Sequence, residues 1–350
     1  MTTTLKRALR PVRYQVERLA FLTALNLPST LQRRLAGRPV TIDGLTLAPD
    51  TQLMLRLMRL TGQDDGWSGP VPAARAGLVE RCRLAGGSLP IGGIRTVELP
   101  FGRGRLYLPS AEVATPAPLV VFFHGGGFYL GDLDSHDAPA RMLAETAGVR
   151  VLSVAYRLAP EAKFPAAYDD ALVAFDWARE HAEGLGADPD RIGVGGDSAG
   201  GNLAAEVALA AGERCAFQLL IYPVTQMNEV TESRKLFADG FFLTAEAIEI
   251  CGSHYLAPDT DPCDPRLAPL RTEIPAGTAP AYVATAGFDP LRDEGEAYAR
   301  RLAEAGVPVR TRRFADQIHG FVNVLGAGHS ARAATTEIAE ALRELAAPRC

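Results

Sequence analysis

Arg191-Ile192-Gly193-Val194-Gly195-Gly196-Asp197-Ser198-Ala199-Gly200-Gly201 is the stretch on which the fold turns. An apolar, strand-like run ends in G-x-S-x-G, the pattern of a nucleophile elbow, where a sharp strand-to-helix turn lifts a serine oxygen above a sheet. Side chains at positions 196 and 200 would collide with neighbouring backbone in so tight a turn, so glycine stands at both. Residues 199–210 then read as the helix that follows. Such a pentapeptide arises by chance in roughly one chain of this length in ten, so its context decides. That context includes a second glycine-rich segment, His124-Gly125-Gly126-Gly127-Phe128, directly after the buried-strand run Leu119-Val120-Val121-Phe122-Phe123. Alone it would be an ordinary tight loop. Upstream of an elbow it offers backbone donors for an oxyanion, and the two segments together provide what attack on an ester carbonyl needs.

A serine needs a base, and the base needs an orienting acid. Six histidines occur: His124, His136, His181, His254, His319 and His329. His124 belongs to the glycine run, and His136 and His181 precede the serine. His319 lies just beyond the strand-like residues 307–314, where catalytic groups collect in parallel α/β sheets. Asp289, in Gly287-Phe288-Asp289-Pro290-Leu291, follows the apolar residues 281–286 in the same way. The chain order Ser198, Asp289, His319 is that of a strand-borne hydrolase triad. His254 and His329 read as surface or cap histidines. Asp293 and Glu294 are rival acids, and their position suits the first turn of the next helix.

These residues, with Tyr156-Arg157-Leu158-Ala159-Pro160-Glu161, Phe164-Pro165-Ala166-Ala167, Asp289-Pro290-Leu291-Arg292-Asp293 and His319-Gly320-Phe321, carry a resemblance. The chain resembles the bacterial hormone-sensitive-lipase-like esterases, the family IV group of α/β-hydrolases, over about residues 95–345. The Gly-Asp-Ser-Ala-Gly form is similar to that of its Asp-containing subgroup. The resemblance implies an α/β fold with a mostly parallel central sheet flanked by helices and covered by a helical cap. It implies a serine carboxylesterase acting on short- to medium-chain esters through an acyl-serine, with no metal or organic cofactor. Carried over, Ser198 is the nucleophile, His319 the base and Asp289 the acid, and Gly126, Gly127 and Ala199 are the oxyanion donors, with Gly125 a further candidate. Phe128 and Tyr129 are candidate substrate-binding residues beside the oxyanion loop, with core packing as the alternative. Amidases, lactonases and deacetylases share the triad, so fold and triad alone do not choose among them. A non-catalytic ligand receptor would be marked by loss of the base, and His319 is present.

Composition agrees with an ordinary enzyme: 350 residues, 47% hydrophobic, 22% charged. That length suits a catalytic core plus a smaller lobe. A net charge of −5 without a basic domain argues against a nucleic-acid partner and leaves a small-molecule ester as the expected one. Only Lys6, Lys163 and Lys235 are lysines; the arginine-rich balance suits a GC-rich bacterial genome. The five cysteines, Cys82, Cys215, Cys251, Cys263 and Cys350, are scattered and form no C-x-x-C pair. A zinc site or disulfide framework is not expected, and a reduced, cytoplasmic protein is. The family habit also admits a homodimer.

The N-terminus holds two conflicting signals. Lys6, Arg7, Arg10, Arg13 and Arg18 precede the apolar residues 19–27, superficially like a secretory leader. Pro11 interrupts that run, Glu17 and Arg18 abut it, and no small-x-small cleavage site follows. No apolar run approaches the ~18 residues of a membrane span. Leu5, Leu9, Val12, Val16 and Leu19 recur at helical spacing. The preferred reading is a lid helix packed on the enzyme; the alternative is a basic helix in weak contact with a membrane surface.

The organisation follows. Residues 1–60 read as the N-terminal helical part of the cap, with Asp50 as a helix cap, and residues 61–94 as a connection. Residues 95–225 and 277–350 form the catalytic α/β domain. Its strands are expected at 95–99, 105–108, 119–123, 151–155, 192–195, 217–222, 282–285 and 309–314, the first two as an antiparallel hairpin. Residues 226–276 interrupt the rhythm and are too long for a plain crossover, so they read as a cap insertion. Asp197 reads as a brace of the elbow, Arg157 and Glu161 as a local bridge, and His136 and Asp137 as ordering the turn after Asp132.

Overall fold

The structure, a computed structural model, describes residues 19–62, 66–111 and 115–348. All eight strands expected from the sequence form, and they make one sheet. These are β3 (Gly93–Leu99), β4 (Gly102–Leu108), β5 (Ala117–Phe123), β6 (Arg150–Val154), β7 (Ala187–Asp197), β8 (Gln218–Ile221), β9 (Ala281–Phe288) and β10 (Val309–Ile318). Their order is β10-β9-β8-β7-β5-β6-β4-β3. β4 pairs antiparallel with both β3 and β6, while the pairs from β6 through β10 are parallel. A separate two-stranded hairpin, β1 (Thr41–Ile42) and β2 (Leu45–Thr46), precedes them.

Every residue of β5 is buried, as a strand covered on both faces requires. Because successive side chains alternate, Leu119, Val121 and Phe123 join the core formed with the helices Ala166–Glu180 and Ala199–Ala211. Val120 and Phe122 join the core formed with Asp137–Ala147 and Ser330–Leu345 on the other side. The consequence for function lies at the strand ends. β5 ends at Phe123, β7 at Asp197, β9 at Phe288 and β10 at Ile318, so His124, Ser198, Asp289 and His319 are each the first residue beyond a strand. Parallel pairing puts all four on one edge of the sheet.

Three sequence expectations change. The connection 61–94 contains a helix, Val71–Gly86. Its buried residues are Ala74, Leu78, Cys82 and Gly86, every fourth position, but two are too small to register as a hydrophobic stripe. In residues 1–60 the described part is helical at 19–25, Ser29–Ala36 and Pro49–Thr61, interrupted by the β1–β2 hairpin. The readings of Leu5, Leu9, Val12, Val16 and the basic residues up to Arg18 lie outside the described residues. Asp50 does not cap its own helix, where Ala48 holds the cap position and Pro49 opens the first turn. Its carboxylate instead accepts from the backbone N–H groups of His329 and Ser330 at 2.7 and 2.9 Å and from Ser330 Oγ at 2.6 Å. Asp50 thereby satisfies the orphan donors at the start of the helix Ser330–Leu345, and it does so across the chain.

Residues 226–276 carry the helices Glu232–Leu236 and Ala245–Tyr255, with no strand. Phe237, with Phe241 and Phe242 beside it, packs with Leu25, Leu53 and Met54 from the N-terminal helices. The same cluster includes Phe288 and Ile318, the last residues of β9 and β10, so both segments cover the functional edge of the sheet. Among the described residues no helix is long and apolar enough to cross a membrane.

Asp50→Ala removes the shared cap and should lower the unfolding free energy by about 2 kcal/mol, measured by urea denaturation. Asp50→Asn keeps an acceptor and should lose about half as much. Equal loss in both would mean that the charge, not the hydrogen bonding, carries the effect.

Candidate active site

The elbow adopts the geometry that its glycines require. Ser198 sits at φ 56°, ψ −119°, a backbone conformation rarely open to a residue with a side chain. A Cβ on Gly200 would strike the Phe123 carbonyl at the end of β5, and one on Gly196 would strike the Gly200 carbonyl. The turn is therefore pressed against the neighbouring strand and onto its own helix. The Ser198 N–H donates to Ile221 O at 2.9 Å, which ties it to β8 as well. Ala199 opens the helix Ala199–Ala211, so its N–H lies among the unpaired donors of a helix N-terminus.

The structure brings the three residues read as a triad into one line. Ser198 Oγ lies 2.9 Å from His319 Nε2, and His319 Nδ1 lies 2.8 Å from Asp289 Oδ2. Asp289 is fully buried, and its other oxygen accepts the Leu291 N–H at 2.8 Å, which fixes the carboxylate. The rival acids face elsewhere. Asp293 accepts from the Ser233 N–H and pairs with Arg292, in the first turn of the helix Arg292–Glu304. Glu294 is buried against Arg234 and the Thr225 N–H. Burial pushes it up to about 7, against the pull of Arg234.

Asp197 is the joint between the two glycine-rich segments. Its Oδ1 accepts the Gly125 N–H at 2.8 Å and lies 3.3 Å from His136 Nε2, while Tyr222 Oη donates to Oδ2 at 3.3 Å. Burial raises this carboxyl, yet His136, the Gly125 N–H and His124 together outweigh it, and Asp197 ends below the ordinary carboxylate range. The Gly125 N–H is thus committed to Asp197, which removes Gly125 from the oxyanion candidates. Gly126 and Gly127 follow at φ 121° and 61°, conformations that turn the loop back on itself. His124 is buried beneath, stacked on Tyr156 and donating from Nδ1 to Gly125 O at 2.8 Å. Burial and the neighbouring His136 push it down to about 4, so it serves as a neutral wedge under the loop.

Two cavities meet at Ser198. One, of about 110 Å³, is lined by His319, Gly126, Met54, Met58, Trp67 and Phe242 among others. The other, of about 80 Å³, is lined by Gly127, Phe128, Met227, Cys251 and Tyr255 among others. Phe128 lies in the second wall, stacked on Tyr255 with ring centres 4.0 Å apart. Tyr129, the other candidate for substrate binding, lines neither cavity: it stacks on His254 and donates from Oη to Trp67 O at 2.7 Å. Core packing is its role. Cys82 and Cys251 line the two cavities, but burial pushes each thiol up to about 12, so neither is a thiolate near neutral pH.

Other brackets differ from expectation. Arg157 pairs with Asp170, and Glu161 pairs with Arg75 from the helix Val71–Gly86. Arg75 also donates to Tyr129 O and Ala159 O at 2.8 and 2.7 Å, so it is the brace of the oxyanion loop. A single arginine in a weakly patterned helix gave no signal of this. Trp67, Met54, Met58, Met227 and Cys251 were likewise missed, because cavity walls far apart in sequence share no motif. His136 does contact Ser135 in the turn after Asp132, and it also reaches the elbow through Asp197; Asp137 pairs with Arg105 and Arg141. Among the described residues no group of three or more His, Cys, Asp or Glu could hold a metal ion.

The chain is similar to known hydrolases. A family model described as the alpha/beta hydrolase fold matches residues 120–323. The carboxylic ester hydrolase LipN of Mycobacterium tuberculosis is 44% identical over 333 residues, which cover 91% of this chain and 88% of that protein. The ethyl acetate hydrolase of Pseudomonas putida is 40% identical over 246 residues, 69% of this chain and 77% of that protein. Among solved structures, a hyperthermophilic esterase from the archaeon Pyrobaculum calidifontis superposes with a TM-score of 0.80 at 36% identity, covering 86% of this chain and 99% of that one. The chain belongs to the α/β-hydrolase fold family, in its hormone-sensitive-lipase-like, family IV branch.

Proposed function

We propose that this chain is a serine carboxylesterase that hydrolyses short- to medium-chain carboxylic esters through an acyl-serine. The observation that carries this reading is the continuous line from Ser198 Oγ through His319 to Asp289, set where two mostly apolar cavities meet. His319 Nε2 takes the proton as Ser198 Oγ attacks, and Asp289 holds Nδ1–H and stabilises the imidazolium. The N–H groups of Gly126, Gly127 and Ala199 receive the oxyanion, each donor worth about 3 kcal/mol in such sites. Water then releases the acyl group through the same base. The relatives named as ester hydrolases support this reaction class. Among the described residues Cys82, Cys215, Cys251 and Cys263 are free thiols, which supports a reducing, cytoplasmic address.

The two cavities take different halves of the ester. The leaving alcohol must depart beside the group that protonates it, and His319 lines the 110 Å³ cavity. The alcohol therefore occupies that side, and the acyl group occupies the 80 Å³ cavity beyond Gly127 and Phe128.

Kinetics with p-nitrophenyl esters from acetate to palmitate test the mechanism. Ser198→Ala should lower kcat about a millionfold while the fold persists, and activity of the native chain should peak at short acyl groups. Normal turnover by folded Ser198→Ala protein would end the proposal. Asp289→Asn should lose on the order of ten-thousandfold, and Asp293→Asn far less; the opposite ranking would move the acid to Asp293. Met227→Ala should extend the tolerated acyl chain, and Met58→Ala should favour bulkier alcohols. An exchange of those two phenotypes would reverse the cavity assignment.

A further inference from the structure

The helix Ser29–Ala36 buries a glutamine and leaves its two leucines half-exposed. Its buried residues are Gln32 and Ala36, and Gln32 is held inside by donating to Leu25 O at 2.6 Å. Leu31 and Leu35, one turn apart on the same face, are 41% and 48% exposed. Arg34 is exposed on the flank of that face, Arg33 is exposed on the opposite side of the helix, and the helix contains no acidic residue. An isolated surface leucine means little. A glutamine inside with two leucines outside inverts the arrangement that burial alone would choose.

The surroundings extend the pattern. Leu60, 73% exposed, lies at the end of the neighbouring helix Pro49–Thr61. Arg56, one turn before it, donates to Leu35 O at 3.0 Å, which brings the two helices' outward residues together. Charge is segregated in the same direction. Residues 19–62 hold five arginines, Arg33, Arg34, Arg38, Arg56 and Arg59, against Asp43 and Asp50, a net +3, while residues 63–350 carry −12. Both acids are engaged elsewhere: Asp50 on the start of the helix Ser330–Leu345, and Asp43 on Arg292.

We propose that the outer face of the helix Ser29–Ala36 docks the protein reversibly on an anionic lipid surface. Leu31 and Leu35 enter the boundary of the acyl chains, and Arg34, on the flank of that face, meets the head groups. The docked helix is braced on Pro49–Thr61, where Gln52 donates from Nε2 to Ala36 O and Arg38 O at 3.2 and 2.7 Å. Met54 and Met58 of that second helix line the alcohol-side cavity.

Co-sedimentation of the full chain with vesicles decides the matter. The native protein should bind phosphatidylglycerol-containing vesicles at low salt, bind pure phosphatidylcholine vesicles weakly, and be released by high salt. Arg34→Gln should weaken binding about fivefold, and Arg33→Gln, on the opposite side of the helix, should weaken it less. Leu31→Glu with Leu35→Glu should abolish it, while hydrolysis of soluble p-nitrophenyl acetate shows that each variant is folded. Absence of native binding to phosphatidylglycerol vesicles, or equal binding by the folded variants, would overturn the proposal. So would a native dimer that the leucine substitutions convert to monomer in sedimentation velocity, since the face would then belong to a second copy.

Discussion

Ser198 is held at φ 56°, ψ −119°, and holding it there is the constraint around which the rest of the molecule is arranged. Such a conformation costs on the order of 1–3 kcal/mol and persists only where its surroundings leave no alternative. Here the surroundings are specific. Gly196 and Gly200 both lie against Phe123 O, and Gly196 against the Gly200 carbonyl as well, at approaches that any side chain would forbid. β7 is paired on both sides, with β5 and β8, so the strand feeding the turn cannot yield. Asp197 then joins the turn to the loop after β5 through the Gly125 N–H. Nucleophile and oxyanion loop are therefore positioned by one buried carboxylate, with His136 and Tyr222 holding it from the far side.

The legible part of the sequence is the part in which backbone constraint is written in residue type. Glycines mark close approach, β-branched runs mark buried strands, and the first residue after each run marks the functional edge. Ser198, Asp289 and His319 could be found on that basis without knowing how the strands pair, since each needs only its own strand and loop. The order of the strands, and the meeting of His319 with Ser198, depend on long-range pairing that no local pattern encodes. The helix Val71–Gly86 escaped because its buried stripe of Ala74, Leu78, Cys82 and Gly86 is small and nearly silent. By sequence alone Asp50 reads as the cap of the nearest helix, whereas its partner is some 280 residues away in sequence, as the Ser330 contacts show.

Cavity walls were the least legible. Trp67, Met54 and Phe242 reach the larger cavity from three segments, and Cys251 and Tyr255 reach the smaller one from the helix Ala245–Tyr255. What selects these residues is shape and volume, and many apolar side chains satisfy such a demand. The catalytic chemistry is fixed by a few residues with one permitted geometry, while specificity is spread over many with several. The same segments that wall the cavities also carry the clasp to the catalytic domain. Lys163 donates to Ser253 O, His254 O and Leu256 O, closing the C-terminal end of the helix that bears Cys251.

The central claim is that Ser198 becomes acylated. Its most direct test is mass spectrometry of the intact and digested protein, quenched during turnover of p-nitrophenyl acetate or after reaction with a p-nitrophenyl phosphonate. The account predicts a single adduct on the peptide containing Ser198, absent from Ser198→Ala. An adduct on another residue, or turnover with no Ser198 adduct from either reagent, would contradict it.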